Sequence, residues 1–175
     1  AGQVASKGHE VIGAVVNEET VGLVSAGREQ FPGEADLQAK LARVVESGHL
    51  TATTDTTSAV ACSDAVVLVV PVFVDADGTP DFGWMDSATR DVAAGLRPET
   101  LVAYETTLPI GTTRQRYKPM LEEGSKLTAG RDFSVIFSPE RVFTGRVFED
   151  LRRYPKLVGG IDPASGNVGV EFYGS

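Results

Sequence analysis

Three short stretches carry side chains able to do chemistry. Ser138-Pro139-Glu140 sets a carboxylate just beyond an apolar, β-branched run, with a proline stiffening the backbone before it. A carboxylate held in this way can move a proton through a water. From residue types alone, an ion pair with Arg141 or another surface arginine is the simpler reading. Glu105-Thr106-Thr107-Leu108-Pro109-Ile110-Gly111-Thr112 leaves a second apolar run and turns through Pro and Gly. Its adjacent hydroxyls can hold a water or a substrate oxygen, or only satisfy the turn backbone. Val15-Val16-Asn17-Glu18 ends a third run; Asn17 and Glu18 can accept a hydrogen bond from a ligand hydroxyl or serve as ordinary helix-cap residues. Cys62, the one cysteine, reads as a small buried hydrophobe.

These residues need elements to position them, and the chain reads as strands alternating with helices. Apolar and β-branched runs predict strands over 10–16, 49–53, 64–71, 100–104 and 132–137, with a last one over 156–158. Helical spacing predicts helices over 36–46, 56–61 and along Trp84, Met85, Ala88, Val92 and Leu96. Thr112 and Thr113 are placed to cap a further helix toward Glu123, with Pro119 kinking it. Ala1–Gly8 reads as the tail of a helix closed by glycine, and Val168–Ser175 as part of another. Asp64–Pro71 is apolar at every position from Ala65 to Val70, which predicts a central strand covered on both faces.

Such alternation implies βαβ units and an α/β, Rossmann-like, doubly wound, mostly parallel sheet. Ligands of these sheets sit beyond the carboxyl ends of the strands. That rule collects Val15, Asn17, Pro71, Thr106 and Thr107 as candidate cofactor-contacting residues, and Glu140 as a candidate for proton transfer. Val15 falls where a dinucleotide-binding sheet usually carries a ribose-binding acid. No G-x-G-x-x-G phosphate loop precedes that strand, so the first strand of the sheet is expected to lie upstream of Ala1. The strands over 10–16 and 64–71 should then pair directly or leave a slot.

Composition narrows the partners. With 16 Lys+Arg against 24 Asp+Glu, the formal charge is −8 and no basic patch stands out, so nucleic acid is an improbable partner. The longest apolar run, Ala65–Val74, is too short to span a bilayer. A single cysteine excludes an intramolecular disulfide and a cysteine-rich zinc site. No metal site is expected.

In order along the chain, GHEVIG (8–13), DAVVLVVP (64–71), TTLPIGTT (106–113), FSPERVFTG (137–145) and PKLVGG (155–160) resemble the nucleotide-sugar dehydrogenases, the UDP-glucose/GDP-mannose dehydrogenase family. Pro-Glu-Arg-Val is closer to the branch acting on UDP-N-acetylhexosamines, such as UDP-N-acetylmannosamine and UDP-N-acetylglucosamine. The resemblance implies NAD-dependent oxidation of a UDP-sugar C6 hydroxyl to a carboxylate in two steps, within a cytoplasmic homodimer. It implies that Thr107 positions a water and that Glu140 acts in acid–base chemistry or hydrolysis of a thioester. It divides the chain into an NAD-binding domain over 1–160 and the start of a linker and central helix over 161–175.

Departures accompany it. Val15 leaves NAD-versus-NADP preference open. Thr144 stands where one branch carries a second Glu. The family's nucleophilic Cys and its assisting Lys have no counterpart, so the chain by itself is expected to be inactive. The alternatives are another NAD(P)-dependent dehydrogenase of related fold, or a degenerate, non-catalytic nucleotide-binding module.

Overall fold

The computed structural model describes residues 1–29, 36–142, 150 and 153–174. The chain divides into two compact units, one of Ala1–Ala59 with Val142–Tyr154 and one of Val60–Arg141 with Pro155–Ser175.

In the first unit, helix α1 (Gly2–Ala5) leads through Gly8, at φ 96°, into strand β1 (Val11–Ala14). β1 pairs in parallel with β2 (Leu50–Thr53), Val11 opposite Leu50. Two helices make the crossover, α2 (Glu18–Ser25) and α3 (Leu37–Glu46). The α3 stripe predicted from spacing buries Leu41 and Val44 against Ala5, Leu50 and Val11. Gly27 is needed where the chain leaves α2. Its φ is +66°, and a Cβ there would sit 3.0 Å from the Ala42 backbone. Gln38 closes the same corner: its side chain donates to the Gly27 carbonyl at 2.7 Å and accepts from the Glu29 amide at 2.9 Å.

Helix α4 (Thr56–Ala61) follows β2, capped by Asp55, whose carboxylate accepts the Ser58 amide at 2.9 Å.

The second unit is built on a four-stranded sheet of order β3-β6-β7-β8, from β3 (Ala65–Leu68), β6 (Leu101–Tyr104), β7 (Ser134–Phe137) and β8 (Gly159–Gly160). The first three are parallel, with Leu68, Tyr104 and Phe137 in register at their carboxyl ends; β8 is antiparallel to β7. A short hairpin of β4 (Phe73–Val74) and β5 (Pro80–Asp81) follows β3. Helix α5 (Gly83–Gly95) then crosses to β6. A π-turn (Thr113–Tyr117) and α6 (Lys118–Ser125) cross to β7, and α7 (Pro163–Gly174) follows β8. Period-two alternation sorts β6 onto two helical layers. Val102 and Tyr104 join Met85, Val92 and Leu121 in one core, whereas Leu101 and Ala103 join Ile136, Phe172 and Tyr173 in the other.

Of the two arrangements expected for β1 and β3, direct pairing does not form among the described residues: each strand lies in its own hydrogen-bonded sheet. Several other expectations need correction. Asp64–Pro71 is not a covered central strand. β3 is an end strand of its sheet, with Val67 and Val69 exposed, and the fully buried strand is β6, which has a partner on each side. The last strand is Gly159–Gly160 rather than 156–158, with Gly159 opposite Phe137 and Gly160 opposite Ile136; at Gly160 the room is needed because an added Cβ would run into Asp162 O and the Gly166 backbone. Trp84 lies outside the α5 stripe at 64 % exposure, edge-on to Phe73; the inward positions are Met85, Thr89, Val92 and Ala93. Thr112 makes no side-chain cap. Pro119 has no amide to return to Gln115, and the turn before it widens so that the Lys118 amide meets Thr113 O, five residues back. Cys62 is exposed. Thr144 lies outside the described residues.

Candidate functional site

The candidate residues of the second unit come together where β3, β6 and β7 end. The Thr106 hydroxyl donates to the Val70 carbonyl at 2.7 Å, which joins the β6 loop to the chain beside Pro71. This spends its proton on backbone, the plainer of the two readings for Thr106. Thr107 is exposed. The Ser138 amide continues the ladder onto Tyr104 O at 2.9 Å, and the Glu140 amide donates to Glu105 O at 3.0 Å. The loops after β6 and β7 are therefore joined through Glu105 and Glu140, with Thr107 two residues farther along.

Glu140 is half-buried, and both its oxygens are occupied. The Arg141 amide donates to Oε1 at 2.7 Å, and Lys156 Nζ donates to Oε2 at 2.9 Å. The ion pair anticipated with an arginine is made with a lysine instead; the Arg141 guanidinium turns to the Pro155 carbonyl. Lys156 also reaches Glu105 Oε1 at 2.9 Å, and the Tyr173 hydroxyl donates to that oxygen at 2.6 Å. Burial, reinforced by the hydrogen bond to Glu105, pushes the Tyr173 phenol far up, so it stays a proton donor. Glu105, Lys156 and Tyr173 escaped the sequence reading. Glu105 ends a strand, Lys156 interrupts an apolar run, and Tyr173 lies in a helix 68 residues from Glu105.

Beside this rim an open cavity of about 280 Å³ is lined by Leu108, Ile110, Phe137, Gly160, Ile161 and Arg114, whose guanidinium donates to Ile161 O at 2.7 Å. Its volume lies near the lower end for small-molecule sites.

In the first unit, Val15 continues the ladder onto Thr53 O at 3.0 Å, and Val16 is fully exposed. Asn17 is the N-cap of α2: its side-chain oxygen accepts the Glu19 amide at 2.8 Å and the Thr20 amide at 3.3 Å. Glu18 and Glu19 occupy the first turn, where carboxylates complement the helix dipole.

A parallel α/β sheet with both faces of its central strand covered, and with polar groups gathered at the carboxyl ends, defines a Rossmann-type nucleotide-binding domain. The chain belongs to the UDP-glucose/GDP-mannose dehydrogenase family: the family's NAD binding domain matches residues 1–175. The UDP-N-acetyl-D-mannosamine dehydrogenase of Escherichia coli (strain K12) is 30 % identical over 179 residues, covering 99 % of this chain and 41 % of the relative. The GDP-mannose 6-dehydrogenase of Pseudomonas putida is 31 % identical over 178 residues, covering 99 % and 40 %. Among solved structures, GDP-mannose dehydrogenase from Pseudomonas aeruginosa superposes with a TM-score of 0.91 at 29 % identity, over 99 % of this chain and 40 % of that one. The chain thus spans about two fifths of the length of the curated relatives it matches.

The residues present fit NAD in part, taken unit by unit. In the second unit no Lys or Arg occurs from Asp64 to Thr89 or from Tyr104 to Thr113. That rim, with exposed Val69, Pro71 and Thr107, offers apolar and hydroxyl groups to the neutral ring-and-ribose end of a dinucleotide. In the first unit, Glu18 and Glu19 offer carboxylates to ribose hydroxyls.

Proposed function

We propose that this chain is the cofactor-binding part of an NAD-dependent dehydrogenase that oxidises the C6 hydroxyl of a UDP-sugar to a uronic acid. The sugar class is a UDP-N-acetylhexosamine. The Pro-Glu-Arg-Val segment supports that class, as do relatives named for UDP-N-acetyl-D-mannosamine. The balanced reaction takes one alcohol, one water and two NAD+ to one carboxylate, two NADH and three protons. NAD, when bound, supplies the hydride acceptor. Glu140 takes the proton through a water that the Thr107 hydroxyl holds in place. The observation that carries this reading is the backbone bond from Glu140 to Glu105, which sets the candidate base on the same rim as the Thr106-Thr107 loop.

We read 1–160 as the NAD-binding domain and 161–175 as the start of the helix that leads onward, with the full-length protein a homodimer. No helix of the described residues is long and apolar enough to cross a membrane; we place the reaction in the cytoplasm. The 175-residue chain alone should not turn over. Its one thiol, Cys62, precedes β3, at the opposite end of that strand from the candidate rim.

The test is to incubate the full-length protein with NAD and a panel of UDP-sugars. Two NADH per sugar are expected with a UDP-N-acetylhexosamine. Absence of NADH with every UDP-sugar would overturn the proposal.

A further inference from the structure

We propose that Lys156 is the positioning residue for the Glu140 carboxylate, an inference that rests on the catalytic role given to Glu140 above. Two carboxylates share this rim. The backbone bond between Glu140 and Glu105 holds their loops together, so repulsion between the side chains cannot be relieved by the loops parting. Lys156 Nζ lies 2.9 Å from an oxygen of each. The lysine side chain is 22 % exposed, against 14 % for Glu105 and 34 % for Glu140, so the cation is screened by solvent less than an ordinary surface pair.

The lysine is itself held on every side. Ser138, fully buried, donates its hydroxyl to the Leu157 carbonyl at 2.7 Å, pinning the backbone next to Lys156 against the end of β7. Nζ stands 4.9 Å above the Tyr173 ring, and the Tyr173 hydroxyl donates to the same Glu105 oxygen that Nζ reaches. With Oε1 of Glu140 fixed by the Arg141 amide and Oε2 by Lys156, the carboxylate has one orientation. Among the described residues, the charged and titratable groups facing Glu140 are Lys156 and Glu105, with Tyr173 on α7 behind them.

The chemistry follows from this geometry. A base works only when its lone pair is aimed at the proton it takes, and a carboxylate free to swing spends most of its time misaligned. Lys156 both aims Glu140 and cancels the charge of Glu105 beside it. Without the lysine, Glu140 should turn away from Glu105 toward solvent.

Four variants of the full-length enzyme test this. Glu140→Gln should lower kcat by about 10²-fold or more. Lys156→Met should lower kcat by about tenfold or more, with KM for NAD unchanged within about twofold. Lys156→Arg, which keeps the cation, should recover most of the loss. The double variant Glu105→Gln/Lys156→Met removes one charge of each sign. With the repulsion from Glu105 gone it should fold with an unchanged Tm, yet still lower kcat by about threefold or more because Lys156 no longer fixes Oε2 of Glu140, which keeps the test open should the single variant misfold. If Glu140→Gln shows that loss but the double variant turns over within about twofold of wild type, or the arginine variant rescues nothing, the positioning role is overturned while the function stands. If Glu140→Gln stays fully active, the role of Glu140 falls, and that of Lys156 with it.

Discussion

The amide of Glu140 donates to the carbonyl of Glu105 at 3.0 Å, so the loops after two adjacent parallel strands are tied just beyond the last regular pair, Tyr104 with Phe137. The bond uses backbone atoms only, so either side chain can be changed while the loops stay joined. Glu140→Gln should therefore leave the thermal midpoint of the full-length protein within a few degrees of wild type while removing about 10²-fold or more of kcat. A calorimetric scan beside a steady-state assay checks both halves.

Cofactor choice can be read from α2. Its first turn carries Glu18 and Glu19, and no Lys or Arg occurs between Glu10 and Gly27. A ribose 2′-hydroxyl finds acceptors there, whereas a 2′-phosphate meets two like charges. NAD should bind at least about tenfold more tightly than NADP, a difference of about 1.4 kcal/mol. Titration calorimetry on the full-length protein measures this, and equal affinities would count against placing the ribose at this turn.

Two glycines should respond to alanine in opposite ways. In α6, a Cβ at Gly124 would lie 2.6 Å from Ala93 Cβ, a stub with no rotamer through which to escape. The helix-propensity gain of about 0.5–1 kcal/mol is outweighed by overpacking of about 1–3 kcal/mol, so Gly124→Ala should destabilise. Gly22, inside α2, has nothing within 4 Å of an added Cβ, and Gly22→Ala should stabilise by up to about 1 kcal/mol. Urea denaturation distinguishes the two signs.

Stability should fall at both extremes of pH. Burial, with Asp86 nearby, pushes the Tyr117 phenol up to about 12, and burial also raises Tyr104. An unfolded tyrosine ionises near 10, so from about pH 10 upward the unfolded chain sheds protons that the folded one keeps, and stability declines through pH 12. On the acid side, the Arg131 guanidinium and the Thr128 amide hold the Asp132 carboxyl down at about 2. Its contribution is complete above about pH 4 and is lost as pH falls toward 2. Tyr117→Phe should flatten the alkaline decline in melting temperature, and Asp132→Asn the acid one.

Element order was legible because burial periodicity is local: Leu41 and Val44 announce α3, and Val102 and Tyr104 lie on one face of β6 by simple alternation. The coverage of β3 was not, since which strand becomes central depends on partners elsewhere in the chain. Of the candidate site, the places of Thr106, Thr107 and Glu140 just after apolar strands were legible. The partner of Glu140 was not, because Lys156 reads as one charge in an apolar segment until β7 and α7 bring it between Glu105 and Tyr173.

The π-turn at Thr113–Tyr117 has a bearing on how this chain tolerates change in length. One residue beyond the α-helical need is stored there, and it sets the phase in which Tyr117 stacks on Tyr104 and Arg116 grips Asp86 with two hydrogen bonds. A homologue one codon shorter at this bend, and without the proline that follows it, could run straight through in ordinary α-helix with the rest of its path intact. The same deletion in α5 would rotate every inward side chain beyond it by about 100°.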